Sequence, residues 1–412
     1  MKQAPQRDTR KARKSKVTAV VAIALLGVAL LWAAMGDGKA HSEPSSVAKP
    51  QAPGLNAMMA GHVDAGQTMA SPAHSARQLL VAQVTEARQR LSSYRAATIY
   101  PPESQPMAAH GDMLKPFDPV VEDHAALSAQ GVPISGRHLR TSQDRVYVSG
   151  SDSVLFTVAM HDDQNRKAPL RVIRATAHEV QDAAHPQTVL PVAVQFDDRG
   201  NHGDALAGDG VFSARLQPAT QSFAATQGTI RVDLDLQSDV GGPVHAFFDI
   251  VYMPNVPAIW SGQVREVMDK GSLDFYLRAD IKEAGRYIVT ARAYDATGKP
   301  FAMLSFNDEV PAGARDIRLT LFGKLARDAR PVFPITLRDI DGFILYESRF
   351  PDRAMMPRWP QTAYTSQPHA ISEFADTEWT SEQRQRYLTE YSKDVQVAEQ
   401  NLQRVNNTPS QP

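Results

Sequence analysis

Along the chain a polar start gives way abruptly to an uncharged run, after which long irregular stretches alternate with short periodic ones. Val17 to Met35, VTAVVAIALLGVALLWAAM, carries no charge; as a helix it is about 28 Å long, close to the roughly 30 Å hydrocarbon core of a bilayer. Residues 17–35 are therefore expected to form a transmembrane helix. Residues 36–75 are rich in Ala, Pro, Gly, Ser and Gln and have no apolar period, which predicts a disordered linker. Over 76–95 the apolar positions Leu80, Val84, Ala87, Leu91 and Tyr94 form a two-heptad helical seam, with Glu86 and Arg90 paired at i,i+4. Pro101, Pro102, Pro106, Pro116 and Pro119 then predict an extended segment over 96–136.

Within 137–254 the period changes to two. Strands are expected at Val154–His161, Leu170–His178, Val189–Phe196, Val211–Leu216, Thr229–Gln237 and Val244–Tyr252. Ile230, Val232, Leu234 and Leu236 interleave with Arg231, Asp233, Asp235 and Gln237, so one face is buried and the other meets water. A second set follows in 255–350, at Gly262–Val267, Ser272–Ala279, Arg286–Tyr294, Pro300–Asn307, Ala314–Phe322 and Phe333–Glu347. The expected fold is mainly β: tandem immunoglobulin-like antiparallel β-sandwiches, with an N-terminal transmembrane helix and flanking α-helices. One larger sandwich is the alternative.

Residues 351–379 read as irregular, and 380–405 as a helix with Thr380 at its N-cap, Gln383 three positions on, and a seam of Tyr391, Val395, Ala398, Leu402 and Val405. Residues 406–412 read as a disordered tail. The two helical seams either pair with each other or dock separately on a sheet.

Charge adds direction. Lys and Arg total 44 against 45 Asp and Glu, a net charge of −1, which gives no reason to expect a nucleic-acid partner. Residues 1–16 nevertheless hold Lys2, Arg7, Arg10, Lys11, Arg13, Lys14 and Lys16 against Asp8 alone. A basic tail before an apolar span stays cytoplasmic, so the expected location is the bacterial inner membrane, single-pass, with the body periplasmic or extracellular. A cleavable signal peptide ending at Gly38-Lys39-Ala40 is the alternative, although its apolar region usually runs to about 7–15 residues. There is no cysteine, which excludes disulfides, thiolate metal sites and cysteine nucleophiles.

The densest local signal is the stretch from Asp197 to Gly210. Asp197, Asp198, Asn201, Asp204 and Asp209 supply hard oxygen donors among four glycines, the chemistry calcium prefers. The spacing is not that of an EF-hand and lacks its closing glutamate, and the same residues build Asx turns. Two readings stand, a structural calcium loop and a purely structural turn. His202 reads as a solvated loop histidine, and Asp162, Asp163, Asp339 and Asp341 read as turn residues rather than acid–base pairs.

The string DDRGNHGDALAGDGVFSA from Asp197, with HAFFDIVYMP, GKPFAMLSFND and FADTEWTSEQRQRYL, resembles bacterial choice-of-anchor X domain-containing proteins over about two-thirds of the chain, from Arg137 onward. The resemblance implies an exported immunoglobulin-like module held to membranes by varied means, and it carries over no catalytic residue.

No G-x-S-x-G, H-E-x-x-H, P-loop or G-x-G-x-x-G occurs. Trp260, Trp359, Trp379, Tyr364 and Tyr387 read chiefly as packing residues, with a glycan or peptide surface as the alternative. The expected function is that of a membrane-anchored, exported, non-catalytic envelope protein presenting its β-domains to another envelope protein or a glycan. The rival is an enzyme, or an enzyme accessory subunit, with a site assembled from distant loops.

Overall fold

A computed structural model of the chain describes residues 72–128, 130–181 and 189–407. The expected tail 1–16, helix 17–35, most of the linker and the last residues, 408–412, lie outside them. Among the described residues no helix is long and apolar enough to cross a membrane.

Helix α1 spans Pro72–Ala97, so the end of the expected linker is helical, and the short strand β1 follows at Ser104–Pro106. Next come β2 (Val120–Leu127), β3 (Pro133–Gln143), β4 (Tyr147–Ser149), β5 (Val154–His161), β6 (Leu170–Glu179), β7 (Val192–Ala193), β8 (Val211–Leu216), β9 (Gly228–Ser238) and β10 (Pro243–Met253). They form a sheet of order β2-β3-β5-β8 and a sheet of order β4-β10-β9-β6-β7. The pairing is antiparallel except between β4 and β10, which run parallel.

Inward residues of both sheets meet in one core. Val154, Phe156, Val158 and Met160 of β5 face Ile230, Val232, Leu234 and Leu236 of β9 there, and the Phe156 and Phe248 rings lie 4.6 Å apart. Burying each such side chain contributes about 1.5–3 kcal/mol. This body begins at Val120, not at 137, because β2 and β3 complete its first sheet. Only Val192–Ala193 of the expected strand Val189–Phe196 pairs as a strand.

The second body contains β11 (Ala258–Asp269), β12 (Ser272–Ile281), β13 (Gly285–Tyr294), β14 (Pro300–Val310), β15 (Gly313–Leu321), helix α2 (Gly323–Ala329), β16 (Thr336–Leu345), β17 (Arg353–Met355) and β18 (Trp359–Thr365). One sheet has the order β11-β12-β15; the other runs β1-β14-β13-β16-β17, with β18 also on β16. Two expectations are corrected. Strand β1, from the segment read as merely extended, pairs Ser104 with Leu304. Strands β17 and β18, from the segment read as irregular, extend the same sheet. Ala354 of β17 and Met356 just beyond it are buried in the same core as Phe275 and Leu337, and Trp359, Ala363 and Tyr364 of β18 pack partly buried against it. Helix α2 was not expected; its Leu325 and Ala326 enter that core.

Helix α3 covers Glu382–Asn407 and lies antiparallel on α1. Arg77 meets Asn406, Arg88 meets Glu399, and Tyr94 stacks edge-on against Tyr391. Val84 and Ala87 bury against Ala398, with Val395 and Leu402 beside them, so the two seams pair with each other. The N-cap is Ser381 rather than Thr380: its Oγ accepts the Arg384 N–H at 3.1 Å.

Candidate functional site

The acidic loop leaves β7 and returns into β8, closed by a bridge between Asp197 and Ser213. Of the five expected donors the fold gathers three: Asp198, Asp204 and Asp209 each offer a carboxylate oxygen within 4.8 Å of the others. These oxygens also satisfy the turn. Asp198 accepts the N–H groups of Asp209 and Gly210, both at 2.9 Å. Asp204 accepts that of Gly200 at 2.6 Å, and Asp209 that of Val211 at 2.8 Å. A carboxylate oxygen has two lone pairs, so such bonds leave room for a hard cation.

Asp197 and Asn201 stand apart from the trio. Asp197 Oδ2 lies 2.8 Å from His202 Nδ1, and that hydrogen bond is the main reason its carboxyl titrates below the usual range. Asn201 contributes a backbone carbonyl to the Asp204 N–H. Gly203 sits at φ +95°, where a Cβ would also fall 2.5 Å from Leu155.

The other candidate carboxylates are committed. Asp162 binds the N–H groups of Gln164 and Arg166 and the Arg166 guanidinium, which lowers it to about 2. Asp163 bonds His138. Asp339 accepts the Gln361 N–H, and Asp341 holds the fully buried Arg292 at 2.6 Å. The tryptophans pack: Trp260 and Trp359 lie 6.0 Å apart, and Trp260 donates to the Pro357 carbonyl.

A second place was not anticipated. On the outer face of the β6-β9-β10 sheet a depression of about 600 Å³ is lined by Arg174, Thr176, His178, Asp233, Asp235, His245 and Phe247, among others. His178 Nε2 lies 2.8 Å from Asp233, and His245 Nδ1 lies 2.8 Å from Asp235, which Arg174 also contacts at 2.7 Å. The alternation of Asp233 and Asp235 with buried residues was the available signal, and a hairpin register would have set His245 opposite Asp235. The contribution of β6 comes from far along the chain and is displaced by a bulge between Val172 and Arg174.

No family model and no curated protein matches the chain. Among solved structures, a DUF4785 family protein from Legionella pneumophila is 12% identical over 55% of this chain, with a TM-score of 0.36. The match covers 57% of that protein, so this chain spans little more than half its length. A DUF3823 family protein from Parabacteroides merdae is 13% identical over 53% of this chain and 96% of its own, at TM-score 0.18. The adhesin InvE from Yersinia pseudotuberculosis is 12% identical over 53% of this chain and 57% of its own, at TM-score 0.16. At these TM-scores the likenesses assign neither family nor activity to the chain.

Proposed function

We propose that the chain is a membrane-anchored, exported, non-catalytic envelope protein of the choice-of-anchor X kind, whose immunoglobulin-like β-domains engage another envelope protein or a glycan. The observation that carries this reading is the α1–α3 hairpin. Its base is closed by the Trp379 N–H, which donates to the Ile99 carbonyl, and is joined to the second body by Tyr100, whose hydroxyl donates to Asp328 of α2; its far end bears residue 72. Twenty-six residues of helix make a spacer of about 39 Å. A helical rod of that length beside two β-bodies suits presentation of a surface.

The loop carboxylates Asp198, Asp204 and Asp209 are proposed to hold a calcium ion that clips the β7–β8 connection. Such an ion would supply structure, not chemistry.

A second reading, an enzyme, draws on the two imidazole–carboxylate pairs in the outer depression. Both pairs are built from neighbouring strands of one sheet and not from distant loops.

Cell fractionation with protease accessibility tests the proposal. The intact chain is expected in the membrane fraction, with residues beyond 36 cleaved by protease added outside the inner membrane. Recovery of the intact chain in the cytosol overturns it.

A further inference from the structure

The outer face of the β6-β9-β10 sheet presents its side chains in rows. Register aligns Arg174, Asp235 and His245 in one row, Thr176, Asp233 and Phe247 in the next, and His178, Arg231 and Asp249 in the third. Neighbouring strands lie about 4.8 Å apart and alternate residues about 7 Å apart, so polar groups recur on a grid the size of a sugar residue.

Three features narrow the ligand. Phe247 is 50% exposed between rows of polar side chains. The Arg231 guanidinium sits 4.2 Å from its ring centroid and is held by Asp249, so the ring is fixed in place. The charged groups lining the depression are Asp233, Asp235 and Arg174, so with neutral imidazoles it carries one excess negative charge, and each carboxylate is already held, Asp235 by Arg174 and His245 and Asp233 by His178. Such a lining repels a phosphate or a nucleic acid, and a single excess charge on carboxylates already held exerts only a weak pull on a basic peptide. It does offer fixed acceptors, fixed donors and an aromatic platform.

His245 has a defined part. With Nδ1–H donated to Asp235, neutral imidazole presents Nε2 as an acceptor, while the Asp233 and Asp235 oxygens accept further hydroxyl hydrogens.

We propose that this depression binds a neutral oligosaccharide, one ring lying on Phe247 and its hydroxyls bonded to Asp233, Asp235 and His245. The inference rests on the envelope-interaction reading and names the glycan as the partner of this surface.

The test is saturation-transfer NMR on the full chain in detergent with cellotetraose, maltotetraose and chitotetraose. At least one is expected to bind with Kd of about 1 mM, an affinity typical of a shallow open site. Phe247→Ala and Asp235→Asn should each weaken binding about tenfold with no change in melting temperature, whereas Ile259→Ser on the second body should leave it unchanged. Absence of signal with all three sugars overturns the proposal, as does binding that Phe247→Ala does not alter. Binding of a lysine-rich hexapeptide that Phe247→Ala abolishes, without sugar binding, reassigns the surface to a basic peptide and likewise overturns it. Any of these failures leaves the fractionation result, and the envelope reading with it, standing.

Discussion

The Ser149 hydroxyl accepts a 2.8 Å hydrogen bond from the Met355 N–H, 206 residues further along the chain, and thereby joins edge strand β4 of the first body to β17 of the second. Around it, Arg353 lies over the Tyr147 ring, and Arg358 donates through both terminal nitrogens to the Asp144 carbonyl while stacking on Phe117. Burial, then the like charge of Arg145, pulls the Arg358 pKa down, yet the guanidinium stays charged far above neutral pH. Arg358→Ala is expected to cost about 2 kcal/mol and to uncouple the two cores. Calorimetry should resolve two transitions in the variant against one in the parent; a single unshifted transition would show that the junction transmits nothing.

The hairpin should be separable from the sheets. Val84 is 7% exposed and packs with Ala87 against Ala398. A carboxylate there would be desolvated among Ala87, Ala398 and Leu402, so Val84→Asp should destabilise the helix pair by about 3 kcal/mol. Circular dichroism is expected to lose helical signal at 222 nm while the main urea transition of the β-bodies stays in place.

Close approach of three chain segments makes Gly323 irreplaceable. A Cβ there would fall 2.1 Å from the Gly271 carbonyl oxygen and 2.8 Å from the Ala375 nitrogen, both backbone atoms. Gly323→Ala should cost about 3 kcal/mol in chemical denaturation, far more than helix propensity, which by itself favours alanine.

Acid sensitivity should trace in part to Asp239. The Arg137 hydrogen bond lowers its pKa to about 2, against about 3.9 in the unfolded chain. The folded pKa is the lower one, so the pair stabilises fully above pH of about 4, and that contribution is lost as pH falls towards 2. Asp239→Asn should flatten the stability profile between those values, measured by urea denaturation at each pH.

Calcium should reveal itself as added stability. With a dissociation constant of about 0.1 mM, 1 mM calcium adds about 1.4 kcal/mol, or roughly 3 °C in Tm. Asp204→Asn should abolish that rise, and an equal rise in the variant would remove the loop from consideration.

Period-two alternation in β5 and β9, turn residues around them, and heptad steps at Val84, Ala87, Ala398 and Leu402 were all legible in the chain itself, because each reports the environment of one element through its own side chains. Partnership was not. Strand β1 is only Ser104–Pro106, too short to show a period, and its place beside β14 depends on backbone groups that every sequence carries. The same holds for β17 and β18, which complete a sheet begun far upstream. The loop's donor chemistry could be read from residue types, but the gathering of Asp198, Asp204 and Asp209, with Asp197 turned to His202, required the closed turn. The outer depression needed three strands from two distant stretches in a particular register, with a bulge that resets β6 against β9. Local pattern specifies which face of an element is apolar; only packing between elements selects the neighbour that covers it.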